Sequence, residues 1–291
     1  MKTTRRELLQ LGGGTAIGLA GLGWVSALRA EEAKDRPRIG VCDWSLGAKR
    51  KAVFEQAKAL GLEGVQISPD LKGGKLSYAD PAEQELYKDI VKQTGVQVAS
   101  VGLTVTNSFP LASDPRGAAW LEQTIDAAAA LGCKTTLLAC FANGDLLAGK
   151  ELKKKDVDEL VARLKDAAPK AKAKGVVLGL ESWLSAKDTM MILDRVDSPA
   201  MGMYYDIANS TLRGYDVPAE IRQLKDRICE FHFKDNKGPL GQGDVKIEPV
   251  CEAIREIGFK GWIVLEGHFG DRAACMRANA ATARKLLKIA D

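Results

Sequence analysis

The apolar run Val176-Val177-Leu178-Gly179-Leu180 ends abruptly in Glu181, and the same pattern recurs three times downstream. Met201-Gly202-Met203-Tyr204-Tyr205 runs into Asp206, Ile228-Cys229-Glu230-Phe231 into His232, and Trp262-Ile263-Val264-Leu265 into Glu266. Each run is short, is bounded by Gly, Pro or charge, and suits a strand buried on both faces. A segment able to form a helix follows each one. Successive strand–helix units with buried strands imply a parallel sheet, and when such a sheet closes into a barrel the C-terminal ends of its strands share one rim. Glu181, Asp206, His232 and Glu266 are therefore expected to meet there. Three carboxylates and one imidazole at one point suit one divalent cation, because the carboxylates would otherwise repel one another.

The chain upstream supplies the remaining units. Strands are expected over Arg38 to Trp44, Gly64 to Ile67, Val96 to Leu103 and Cys133 to Ala139. Helices are expected from Lys51 to Leu60, from Pro81 to Gly95, from the Asp114-Pro115 cap to Leu131, and from Asp156 to Lys174. Gly61, Gly95, Gly132 and Gly175 stand where these helices should stop, and Pro81 where one should start. Further helices are expected near Lys187 to Arg195, from Pro218, from Pro249 and from Asp271. The fold class is thus α/β, a (β/α)8 TIM barrel in one domain over residues 31–291. An open doubly wound sheet is the alternative, but no glycine-rich phosphate fingerprint follows the first strand.

Residues 1–30 read differently. Thr4-Arg5-Arg6-Glu7-Leu8-Leu9 precedes an uncharged, Gly- and Ala-rich run from Leu11 to Leu28, which resembles a twin-arginine export signal. A membrane anchor is the competing interpretation, weakened by the low hydrophobicity of so Gly-rich a run. The mature protein is expected outside the cytoplasm, in the periplasm or otherwise exported, with no stable membrane insertion after cleavage. Removing residues 1–30 takes away four basic residues and one acidic, leaving 38 basic against 37 acidic from the full chain's 42 and 38. Such a neutral protein has no general attraction for nucleic acid. The Lys-rich stretch from Lys150 to Lys155 is expected to be the solvated start of a helix. The six cysteines lack CxxC or finger spacing and lie mostly in apolar contexts, so buried thiols are expected.

The four rim residues, the segment Phe231-His232-Phe233-Lys234-Asp235 and the turn Leu240-Gly241-Gln242-Gly243-Asp244 resemble the xylose isomerase-like TIM-barrel superfamily of sugar isomerases and epimerases. That resemblance spans residues 38–290 and includes the ketose 3-epimerases and inosose isomerases. It implies one divalent metal, Mn, Mg, Co or Zn, held by Glu181, Asp206, His232 and Glu266, and a small carbohydrate as substrate. An α-hydroxy ketone or aldehyde would pass through an enediolate. Glu181 and Glu266, on different strands, would remove a proton on one face and return one on the other. Return to the same carbon gives an epimerase, and return to its neighbour an isomerase.

Around this centre Asn209 is expected to donate to a substrate hydroxyl and Lys234 to supply a cation. His268 either touches substrate or lines the rim, and Trp44, Trp183 and Phe269 either stack on a sugar or pack the barrel top. The ketose 3-epimerase pattern is not complete. Where those enzymes carry a second Glu, a His and an Arg, this chain has Lys187, Asn209 and Gly238. A lyase or hydratase acting on a keto-sugar or 3-keto-glycoside is therefore the first alternative, and a non-catalytic sugar-binding barrel the second. Apurinic endonuclease activity would need several more histidines than the two present. An oligomer is compatible with the sequence.

Overall fold

The structure, a computed structural model, describes residues 35–290. The export signal expected over residues 1–30 lies outside the described residues. Eight parallel strands close into a barrel: β1 (Arg38–Cys42), β2 (Gly64–Ile67), β3 (Gln97–Leu103), β4 (Thr135–Cys140), β5 (Val177–Ser182), β6 (Met201–Asp206), β7 (Ile228–Phe233) and β8 (Trp262–Leu265). Each pairs with its sequence neighbours, and β8 closes on β1 through Arg38 to Trp262 and Val41 to Leu265. Eight long helices follow in turn: α1 (Lys51–Ala59), α2 (Pro81–Thr94), α3 (Gly117–Leu131), α4 (Lys154–Ala173), α5 (Ala186–Val196), α6 (Val217–Leu224), α7 (Ile247–Glu256) and α8 (Arg272–Leu287). The expected α/β (β/α)8 barrel is the observed fold.

Helix boundaries follow local chemistry. Asp80 caps α2 by accepting from the Ala82 amide at 2.9 Å, with Pro81 at the first helical position, and Gly95 ends the helix at φ 76°. Asp271 caps α8 through the Ala274 amide at 2.8 Å. Two segments depart from expectation. Asp43 and Trp44 do not extend β1 but begin a short helix, Asp43–Leu46, that Gly47 stops at φ 66°. Burial of the Asp43 carboxylate against Ser68, whose amide and hydroxyl both donate to it at 2.8 Å, turns the chain there. Lys150 to Lys153 precede α4, within and just after a two-stranded ribbon of Leu147–Ala148 and Glu151–Leu152.

Successive strand residues face opposite sides. The outward set, including Ile39, Val41, Leu178, Leu180, Met203, Phe231, Phe233, Ile263 and Leu265, joins the helices in one large apolar core. The inward set is smaller and mixed. Trp262 fills the base of the lumen, where a Cβ on Gly64 would lie 2.6 Å from its ring. Glycine there makes room for the indole. Among the described residues all six cysteines are free thiols, five buried and Cys229 half-buried, and no helix is long and apolar enough to cross a membrane.

Candidate metal centre and cleft

Glu181 and Asp206 lie at the C-terminal ends of β5 and β6, His232 is the penultimate residue of β7, and Glu266 directly follows β8. Strand register brings them together: Asp206 pairs with His232, and the Glu266 amide continues the ladder by donating to the Phe233 carbonyl at 2.9 Å. One ligand atom from each of the four residues lies within 4.8 Å of the others. The four positions expected from sequence therefore converge.

The contacts inside the cluster are specific. His232 Nδ1 lies 2.9 Å from Glu181 Oε1 and 3.4 Å from Glu266 Oε2. Asp206 Oδ1 accepts from the Ala208 and Asn209 amides at 2.8 and 2.9 Å, capping the short helix Ile207–Leu212 and fixing the carboxylate. Its Oδ2 sits 2.7 Å from Lys234 Nζ but without hydrogen-bond geometry, a buried anionic oxygen left incompletely satisfied. Lys234 also donates to Glu266 Oε2 at 2.6 Å, and Trp44 Nε1 donates to Glu266 Oε1 at 3.1 Å.

Electrostatics follow from this arrangement. Burial pushes Glu181 above the usual carboxylate range, with His232 opposing, and burial likewise raises Asp206 against the pull of Lys234. For Glu266 burial acts upward too, yet Lys234 and His232 outweigh it and hold it low. Burial disfavours the charged His232 ring, but Glu181 and Glu266 overcome that and raise it. Three carboxylates thus face one ammonium and one imidazole, and positive charge is short. Hard oxygen donors, one imidazole nitrogen and an incompletely satisfied buried carboxylate oxygen fit a divalent cation.

Two members of the cluster, Glu181 and Glu266, line a cleft of about 450 Å³. Lys234, Asn209, Trp44, Ser68, Thr104 and Asn107 add polar groups to the lining, and Leu137, Ala139, Phe141 and Trp183 add apolar surface next to Glu181, whose register partner is Ala139. Trp183 meets Phe141 edge-on at 5.2 Å. Of the remaining expected contacts, His268 is exposed, absent from the lining and hydrogen-bonded to Arg272 at 3.2 Å; Phe269 is also exposed and outside the lining. Lys187 is exposed on α5, whereas Asn209 reaches the cleft.

Two neighbouring parts take their meaning only from the fold: the motif segments ending in Asp235 and Asp244, which the sequence marks without saying what joins them, and a buried network that the sequence does not mark. The loop after β7 is folded around Asp235, whose carboxylate accepts from the amides of Asn236, Gly241, Gly243, Asp244 and Val245. A Cβ at Gly243 would lie 2.1 Å from Asp235 Oδ1, which explains a glycine in that turn. Beneath the cluster, Gln66, Ser100, Tyr204 and Glu230 form a buried polar network. The available signal was strand periodicity: Tyr204 stands two residues before Asp206 and Glu230 two before His232, on the same inward face.

Comparison with known proteins agrees with this architecture. The family described as xylose isomerase-like TIM barrel matches residues 54–288. The chain is 24% identical over 258 residues to a 2-epi-5-epi-valiolone 7-phosphate 2-epimerase of Actinoplanes sp., covering 85% of this chain and 94% of that protein. It is 27% identical over 253 residues to the L-ribulose-5-phosphate 3-epimerase UlaE of Escherichia coli, covering 81% and 87%. Among solved structures, the 3-keto-D-glucoside 4-epimerase YcjR of E. coli shares the fold with a TM-score of 0.71 at 17% identity, over 86% of this chain and all of that one.

Proposed function

The chain belongs to the xylose isomerase-like TIM barrel family, and from that premise we propose that it is a divalent-metal-dependent sugar epimerase or isomerase. The observation that carries this is the convergence of Glu181, Asp206, His232 and Glu266 beside a cleft of sugar size. A cation held by these four supplies Lewis-acid stabilisation of the negative charge that develops as a carbon acid next to a carbonyl loses its proton. The chain's own residues do the rest.

Glu266 and Glu181 come from strands on different sides of the ring, so one carboxylate takes the proton from the substrate carbon and the other returns a proton from the opposite face. Trp44 holds one oxygen of Glu266 by its indole N–H, which orients the other. In this reading Asn209 and Lys234, both in the cleft lining, hydrogen-bond substrate hydroxyls. Trp183 and Phe141 give an apolar surface on which a sugar face rests and from which water is excluded. Among the described residues lining the cleft, Lys234 is the only cation, and Asp206 and Glu266 already engage it. An uncharged sugar suits this cleft better than a sugar phosphate. Export by the twin-arginine route belongs to the same proposal, and N-terminal sequencing of the secreted protein tests it.

A second reading, action on a keto-sugar or 3-keto-glycoside by epimerisation or elimination, is favoured by one feature: exposed Lys187 leaves the fifth-strand side without the second carboxylate of the ketose 3-epimerase pattern. A 3-keto-D-glucoside 4-epimerase is among the proteins that share this fold. The test is elemental analysis of purified wild type and His232→Ala, followed by solvent proton exchange in D₂O over free ketoses and 3-keto-glycosides. One divalent ion, lost in the variant and accompanied by exchange, is the expected result. Metal without exchange on any of these sugars would favour a binding barrel, and no metal even after reconstitution would remove the proposal.

A further inference from the structure

The imidazole of His232 has partners on both nitrogens. Nδ1 faces Glu181 and Glu266, while Nε2 lies 2.8 Å from Gln66 Oε1 and 3.4 Å from Cys42 Sγ. Gln66 sits at an inward position of β2, deep under the cluster and fully buried. Its amide is pinned from the other side: Nε2 lies 2.9 Å from both Ser100 Oγ and Tyr204 Oη. Those two hydroxyls in turn donate to the same oxygen of Glu230, at 2.7 and 2.9 Å.

With Glu230 as a carboxylate, the number of protons fixes the direction of every bond. A hydroxyl has one proton to give. Ser100 and Tyr204 both give theirs to Glu230 Oε1, so each can only accept from Gln66. The group facing them must then be the amide NH₂, which places the amide oxygen against His232. An oxygen that also accepts the Cys42 thiol at 3.3 Å has no proton to offer. The imidazole must donate to it through Nε2–H, and Nδ1 is left with its lone pair toward the carboxylate cluster whenever the ring is neutral.

We propose that Gln66 is a positioning residue, oriented by Ser100, Tyr204 and Glu230, that holds the proton of His232 on Nε2 and so dedicates Nδ1 to metal binding. This rests on the metal centre proposed above. With its Nε2 proton fixed in advance, the imidazole keeps its orientation when the cation arrives and has at most the Nδ1 proton to release to solvent, and loss of such an outer partner weakens metal binding about 10- to 100-fold. Glu230 acts here as an acceptor; its second oxygen has no hydrogen-bond partner, so glutamine at 230 can preserve the chain of bonds and methionine cannot.

The sequence contains two histidines, which makes the state of His232 directly legible with ¹⁵N-histidine labelling and His268 as an exposed reference. In the metal-free protein the Nε2–H of His232 is expected as a downfield, slowly exchanging proton, lost in Gln66→Met and kept in Glu230→Gln. In zinc titrations against a chelator, Gln66→Met and Glu230→Met are expected to bind about 10- to 100-fold more weakly than wild type, and Glu230→Gln within a few fold of it. The ¹⁵N shifts of the zinc-loaded wild type should show metal on Nδ1. Tyr204→Phe, which removes one hydroxyl only, gives a smaller loss of the same kind should the methionine variants fail to fold. Zinc on Nε2, or a Gln66→Met protein with an unchanged Nε2–H signal and zinc affinity, overturns the proposal. Failure of wild type to bind zinc overturns the metal centre instead, and the metal-free spectrum still judges the hydrogen-bond lock.

Discussion

On their outer faces the barrel strands carry Leu178, Leu180, Met203, Phe231 and Phe233, which pack on apolar stripes of the helices; on their inner faces the same strands carry Glu181, Tyr204, Asp206, Glu230 and His232. Both sets are buried, so burial alone does not separate them. The outer layer is held by non-directional removal of apolar surface, and volume decides its quality. The inner column is held by directed hydrogen bonds between charged and polar groups, which repay their desolvation only if nearly every atom is matched. Stability should therefore reside mainly outside the ring, and chemistry inside it.

Substitutions can break that division. The largest effect is expected from Glu266→Gln, which keeps the shape of the side chain but removes its basicity: substrate proton exchange in D₂O should fall by about 10²- to 10⁴-fold, with the thermal midpoint of the metal-free protein little changed. Near-wild-type exchange would remove Glu266 from proton transfer. On the outer face, Leu164→Ala on α4 should do the reverse, costing about 2–5 kcal/mol in urea unfolding while leaving metal content per folded protein intact. Gly64→Ala probes an inner region built by packing, the base of the lumen around Trp262. Its methyl would press into the Trp262 ring, and a loss of about 1–3 kcal/mol is expected; a neutral result would show the lumen base to be loosely filled.

Asp43 sharpens the comparison through pH. Burial raises its carboxyl from 3.8 to about 6, against the hydrogen bonds from Ser68. A carboxyl raised on folding favours the native state below its unfolded pKa, and that contribution is lost as pH rises through the folded value. Asp43→Asn keeps a hydrogen-bonding group beside Ser68 without the charge. Its stability relative to wild type should rise between about pH 4 and 6 by roughly 1–3 kcal/mol and level off above, as measured by urea unfolding at each pH. A flat difference would mean that Asp43 is solvated in its charged form.

Much of this was legible because strand–helix alternation repeats. Runs ending in Glu181, Asp206, His232 and Glu266 declared both the barrel and the rim, since parallel closure leaves no other place for those ends to go. What was not legible had local causes. Asp43-Trp44 looked like more of β1, but the tertiary demand of Ser68 for a carboxylate turned it into a helix. His268 lies two residues beyond Glu266, past Gly267 at φ 67°, and the chain carries it outward to Arg272. Gln66, Ser100 and Glu230 carried no motif at all, as each gains meaning only from the others.

The sequence by itself determined the order of elements, their direction and the four residues that share the rim, because hydrophobic periodicity, glycine stops and strand polarity are properties of the chain. Only the tertiary structure decided which atoms of those residues face each other, that Lys234 bridges Asp206 and Glu266, and that a buried relay stands behind His232. Hydrogen bonds between residues more than a hundred positions apart depend on ring closure and register, and a one-dimensional pattern holds no record of those distances.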